Sequence, residues 1–257
     1  MKKDLEKQGD SNFAEGCISI TSILKNNSRP VFEIYVLPEV KKDDHNILRL
    51  FKLAKKNHIP IVPQSQEFFD RVAIGHTHGG VIARVGDRNL VSCREVFEKG
   101  NGFVFMLCGI EDPFNFGCSI RSFYAAGAGG MILSPRNWLS AAGVTMRSSA
   151  GCSEAVLCAV AEDMEETLKT AKECGYQIVC ASEKGTETLF EAPLKKPIFF
   201  IVGGEKRGIS RNILEACDYK VKIPYGIHFQ GSLTASAAAA VCAFEILRKN
   251  SERVNEV

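Results

Sequence analysis

Three separated stretches hold the residues that chemistry could use. Residues 198–202 are a continuous apolar run ending on Gly203 and Gly204. Two glycines after a strand let the backbone turn sharply and approach a ligand closely. Glu205 is the only acid in that turn, and Ser210 is positioned to cap the helix that follows. Further on, a short strand ends at Ile223-Pro224. A glycine-containing loop follows, then an alanine-rich helix beginning near Ser232, Leu233 and Thr234. Strand ends that run into glycine-rich loops are where open α/β sheets bind ligands. The turn is not a P-loop, because no Lys-Ser/Thr follows at the required spacing. It is not a dinucleotide fingerprint either, because GxGxxG is absent. The third stretch, Asp112-Pro113-x-Asn115-x-Gly117, marks a turn and a helix start and sets Arg121 near the middle of that helix. Alone, an arginine there is an ordinary surface residue paired with an acid. Its functional reading depends on the other two stretches.

Two features of the front half belong with these. His76-Thr77-His78 has two imidazoles at i and i+2 but no third ligand nearby, so it reads as a loop that packs or touches a substrate, with no metal expected. Residues 43–58 form an amphipathic pattern with Ile47, Leu50, Phe51 and Ala54 on one face and Arg49, Lys52, Lys55 and Lys56 on the other. That basic face is solvated or, with a polyanion present, binds phosphates.

The 257 residues suggest one large or two modest domains, and 45% hydrophobic with 24% charged residues is ordinary for a globular chain. Net charge is +2, with residues 1–94 mildly basic and the remainder slightly acidic, which permits phosphate binding without demanding it. The charged start resembles no signal peptide, and no run of eighteen apolar residues suggests a membrane span. Ten cysteines without a CxxC pair, several at apolar positions such as Cys108, Cys158, Cys180 and Cys242, predict buried free thiols in a reducing cytoplasm.

These stretches need elements to hold them. Patterning predicts helices at 16–25, 43–58 and 66–72 and strands at 31–37, 59–62 and 80–85, a small α/β domain over residues 1–94. Residues 95–102 read as a connector. Beyond it, strands at 103–108, 131–133, 157–161, 177–181, 198–202 and 219–223 alternate with helices at 116–126, 164–174, 210–216 and 233–247. Apolar strands alternating with helices imply a mostly parallel sheet covered on both faces, over residues 103–257.

The three stretches, in this order, resemble motifs 1, 2 and 3 of the SpoU/TrmH family of SPOUT-class RNA ribose 2′-O-methyltransferases. Ser149-Ala-Gly-Cys-Ser-Glu154 is similar to a further family segment, and the resemblance covers residues 103–248. Residues 11–92, with Glu15-Gly16 and His78-Gly79-Gly80-Val81, resemble the L30e-like substrate-binding domain that precedes many such enzymes. The resemblance implies S-adenosylmethionine as cofactor, RNA as partner, a trefoil knot around the cofactor pocket and a homodimer. It implies that Gly203, Ile223 and Leu233 hold the adenosyl group, and that Asn115, Arg121, Glu205 and Ser232 form the catalytic cluster. Thr234 stands where the family usually has Asn, in a substrate-facing position. His78, Lys52 and Lys55 are the substrate-binding candidates of the front domain. Ribosomal RNA is favoured over transfer RNA because the L30e-like module resembles a ribosomal protein fold. A catalytically silent RNA binder and a nicotinamide-dependent oxidoreductase stand as the other readings.

Overall fold

The computed structural model describes residues 12–41, 43–75, 77–135, 142–204 and 208–251. They pack into two compact units. The first comprises residues 12–89 together with 142–155, and the second comprises 90–135 together with 156–251.

The first unit contains β1 (Asn12–Glu15), α1 (Cys17–Asn26), β2 (Val31–Val36), α2 (His45–Lys56), β3 (Ile61–Pro63), α3 (Gln66–Val72) and β4 (Val81–Val85). Its sheet runs β1-β4-β2-β3, antiparallel except for the β2–β3 pair. The amphipathic pattern of residues 43–58 becomes α2. Asp44 caps it by accepting from the Asn46 and Ile47 amides, and Ile47, Leu50 and Ala54 are buried. Lys52 and Lys55 lie on its exposed side. α3 begins on Ser65, whose hydroxyl accepts from the Phe68 amide, and buries Phe68 and Phe69.

The second unit carries α4 (Cys93–Lys99), β5 (Phe103–Cys108), α5 (Pro113–Ala125), β6 (Gly130–Leu133), β7 (Leu157–Val160), α7 (Met164–Glu173), β8 (Gln177–Ala181), β9 (Glu187–Thr188), β10 (Ile198–Gly203), α8 (Arg211–Ala216), β11 (Tyr219–Lys222) and α9 (Ala235–Asn250). Its seven strands are all parallel, in the order β7-β6-β5-β10-β8-β11-β9. β5 is buried along its whole length, and β10 up to Val202. This accounts for their unbroken apolar runs: a central parallel strand is covered on both faces. On one face Val104, Met106, Phe199 and Ile201 meet residues of α4, α7 and α8. On the other, Phe105 stacks on Phe123 of α5, with ring centroids 4.5 Å apart.

Three features differ from the sequence reading. The expected connector at 95–102 coincides largely with α4, whose Val96 and Phe97 are buried in the core of the second unit. Residues 142–155, read with the back half, pack in the first unit as α6 (Ala142–Ser148) and a 3-10 turn (Cys152–Glu154). Cys180 and Cys217, expected as free thiols, are disulfide-bonded. Parallel pairing of β8 with β11 brings these two cysteines together, and nothing in their spacing of 37 residues announces it. The other eight cysteines are not disulfide-bonded. Among the described residues no helix is long and apolar enough to cross a membrane.

Candidate active site

The chain lays β6 and β7 to one side of β5 and the remaining strands to the other, so the order reverses between β5 and β10. The carboxyl ends of strands at such a reversal form the crevice where open α/β sheets bind ligands. The register pairs Gly203 with Cys108, so the Gly203-Gly204 turn lies level with Gly109. A methyl group at Gly204 would run into the Gly109 carbonyl, and one at Gly203 would press on Ile209 and Gly208. Gly109 and Gly208 both have positive φ, 70° and 58°, a region that only glycine adopts freely. Two chain segments thus meet backbone to backbone at this strand end, leaving main-chain groups where side chains would otherwise stand. Burial pushes the thiol pKa of Cys108 beside them up to about 12, which disfavours the thiolate that a nucleophile needs.

Motif 1 begins with a helix cap. The Asp112 carboxylate accepts from the Phe114 and Asn115 amides, and Pro113 occupies the first turn, where no amide hydrogen is needed. α5 packs against α9, and Asn115 Oδ1 accepts a hydrogen bond from Ser236 Oγ at 3.0 Å. Motifs 1 and 3 are therefore joined by a side-chain bond between residues 121 positions apart. Arg121 lies two turns down α5, exposed, with no hydrogen bond or ion pair to a described residue.

Motif 3 is built from β11 onward. Ile223 follows the strand directly and is half-buried. The Leu233 amide donates to the Tyr225 hydroxyl at 3.4 Å, and Tyr225 packs edge-on against Phe229. Ser232 is exposed. Thr234 is the N-cap of α9: its hydroxyl accepts from the Ala237 amide at 3.3 Å. Glu205 lies outside the described residues, as does His76.

Tertiary structure thus joins Asn115 to motif 3 and sets Gly203 at the crevice, while His78, Lys52 and Lys55 belong to the first unit. Sequence reading missed Ser236 and Tyr225 as contributors. A serine two residues past the cap of an otherwise alanine-rich helix was the available signal for Ser236. Nothing local marked Tyr225.

The back-half segment in the first unit is held by charge. Glu154, almost wholly buried, accepts from Ser28 Oγ at 2.6 Å and Arg29 Nε at 3.0 Å, with Arg88 Nη1 at 3.6 Å. Burial pulls its pKa upward, but the Arg88 and Arg29 charges outweigh this and hold it below the ordinary carboxylate value. Half-buried Arg147 makes a second pair, 3.0 Å from buried Glu15.

Residues 102–244 match the model of the SpoU rRNA Methylase family, and residues 13–90 match the model described as RNA 2′-O ribose methyltransferase substrate binding. The chain belongs to the SpoU rRNA methylase family. It is 27% identical over 238 residues to the 23S rRNA (guanosine-2′-O-)-methyltransferase RlmB of Shewanella oneidensis, covering 91% of this chain and 96% of that protein. Its similarity to the enzyme of the same name from Ralstonia nicotianae is also 27%, over 244 residues, with 94% and 97% covered. Among solved structures, the SpoU methyltransferase AviRb from Streptomyces viridochromogenes in complex with AdoMet shares the fold at a TM-score of 0.78 and 19% identity, covering 98% of this chain and 95% of that one.

Proposed function

We propose that this protein methylates a ribose 2′-hydroxyl of 23S ribosomal RNA, using S-adenosylmethionine. The observation that carries the reading is the close backbone approach of Gly204 to Gly109 at the ends of β5 and β10, together with the Asn115–Ser236 bond between motifs 1 and 3. The residues suit the cofactor: glycine backbone at Gly203, with Ile223 and Leu233 on the motif 3 side, offers amides, carbonyls and apolar surface to an adenosyl group. When bound, S-adenosylmethionine supplies a methyl that is already electrophilic.

The chain must supply a better nucleophile, because a ribose hydroxyl is a weak one at neutral pH. The Arg121 guanidinium fork is not engaged by any of the described residues. It binds the neighbouring phosphate through two parallel hydrogen bonds, positions the 2′-hydroxyl, and stabilises charge developing on its oxygen. It acts as a cation and not as the proton acceptor, since guanidinium does not deprotonate in proteins. Asn115, held by Ser236, orients the ribose, with Ser232 and Glu205 completing the polar cluster. Thr234 retains the capping function that Asn would serve, so its presence leaves the loop before α9 in order. That favours an active enzyme over a silent binder.

The first unit, L30e-like in this reading, carries RNA affinity through Lys52, Lys55 and His78. The second unit contains the trefoil knot of the family and pairs as a homodimer in the cytoplasm. Incubating the protein with labelled S-adenosylmethionine and a 23S rRNA transcript, then mapping 2′-O-methyl positions in RNA from a deletion strain, tests the reading. Label that enters transfer RNA but not 23S rRNA would refute the substrate assignment.

A further inference from the structure

The first unit holds a solvent-open cleft of about 690 Å³, within the range of about 300–1,000 Å³ usual for ligand sites. One wall is apolar: Leu37, Val40 and Ile47 line it, with Ile18 exposed at 58%. Much of the remaining lining is polar, and His78 and Arg147 are held in place by hydrogen bonds. His78 Nδ1 accepts from the Gly80 amide at 3.0 Å, so the neutral ring carries its hydrogen on Nε2. Arg147 spends one guanidinium nitrogen on buried Glu15, and its remaining donors are available to the cleft it lines. Glu39, also on the wall, offers a carboxylate acceptor.

Apolar surface for a flat face, with donors and an acceptor in the same lining, suits a heteroaromatic ring with mixed hydrogen-bonding edges. The lining sets three carboxylates, Glu15, Glu39 and Asp44, against two cations, Lys41 and Arg147, and Arg147 is already paired with Glu15, so a phosphate meets no excess of positive charge there. A paired base cannot enter such a cleft, whereas an unstacked one can be splayed into it. We propose that this cleft receives one unpaired nucleobase of the RNA substrate, its ring against Leu37, Val40 and Ile47 and its edge read by His78 and Arg147. The proposal rests on the reading that this unit binds the RNA, and names where it does so.

Blocking the cleft in the full-length protein tests it. Ile18→Trp fills the mouth from an exposed position, and Ile18→Ala leaves it open as a control. Glu39→Trp fills it from another exposed position while removing a negative charge, so electrostatics alone would strengthen RNA binding. Filter binding to a 23S rRNA transcript should weaken roughly five- to a hundredfold for both tryptophan variants, the loss typical of one stacked base, and by less than about twofold for Ile18→Ala. Calorimetric binding of S-adenosylmethionine should be unchanged. A wild-type protein that binds the transcript, with both tryptophan variants binding equally well, overturns the cleft alone. A wild-type protein that binds no rRNA transcript overturns the functional reading and the cleft with it. Titration with the four nucleoside 5′-monophosphates separates the sources of a base: mononucleotide binding lost in the tryptophan variants while transcript binding stays intact would mark a free-nucleotide site and overturn the RNA assignment.

Discussion

At the scale of single residues, Arg121 and Thr234 make opposite cases. Arg121 is exposed and meets none of the described acids, so it contributes little to folding. Arg121→Ala should leave the melting temperature and S-adenosylmethionine affinity near native. Single-turnover methyl transfer should fall by roughly a hundredfold or more, as when one transition-state hydrogen-bond donor is removed. Arg121→Lys should rescue little, because an ammonium cannot make the two parallel contacts. A near-native rate for Arg121→Ala would mean that the crevice is not served by this helix. Thr234 does hold structure. Thr234→Val removes the cap of α9 and should cost about 1 kcal/mol in thermal unfolding, whereas Thr234→Asn should be close to neutral because Asn caps at least as well. A Thr234→Val protein as stable as wild type would show that the 3.3 Å bond is not made in solution.

At the scale of elements, the turn at Cys152–Glu154 is the test of how residues 142–155 are held. Its Glu154 is buried against Ser28, Arg29 and Arg88. Glu154→Gln removes the charge that Arg29 and Arg88 face, and removing one partner of a buried pair costs about 3–5 kcal/mol. The pH dependence has a definite sign. The folded pKa of Glu154 is depressed below the ordinary 4.5, so its stabilisation is fully present above that value and is lost as pH falls through the folded pKa. The gap in denaturation midpoint between wild type and Glu154→Gln should therefore be widest near neutrality and close in acid, below about 4.5. A gap constant down to pH 3 would contradict the ion pair. This pair also means that cutting the chain after residue 94 would strand Glu154, so truncation is a poor test of what the first unit does.

For the whole molecule, the α5–α9 pair raises the question of what covers its outer side. Phe114 and Tyr124 on α5 and Phe244 on α9 are 59%, 43% and 49% exposed. Large apolar side chains on two packed helices are a costly surface to leave in water, at about 25 cal/mol per Å². The expected outcome is a homodimer through this surface. Sedimentation at micromolar concentration should give twice 28.2 kDa, and Phe244→Glu should shift it towards monomer. A wild-type monomer at that concentration would rule the pairing out.

Local patterns in the sequence determined most of the elements, because apolar periodicity, caps and glycine positions act within a few residues. The amphipathic face of α2, the buried runs of β5 and β10, and the Asp112-Pro113 start of α5 all follow from such short-range rules. Local pattern failed where an element exists only through its partners. β1 is four residues long and is a strand because β4 pairs with it, while α4 looked like a charged connector until its two buried residues found the core. Only tertiary structure could insert β10 between β5 and β8, join Cys180 to Cys217, bring Ser236 to Asn115, and fold residues 142–155 into the first unit. Each of these is a pairing between distant residues. Such a pairing is chosen by the burial and charge it satisfies in the assembled molecule, and neither partner carries a local mark of the other.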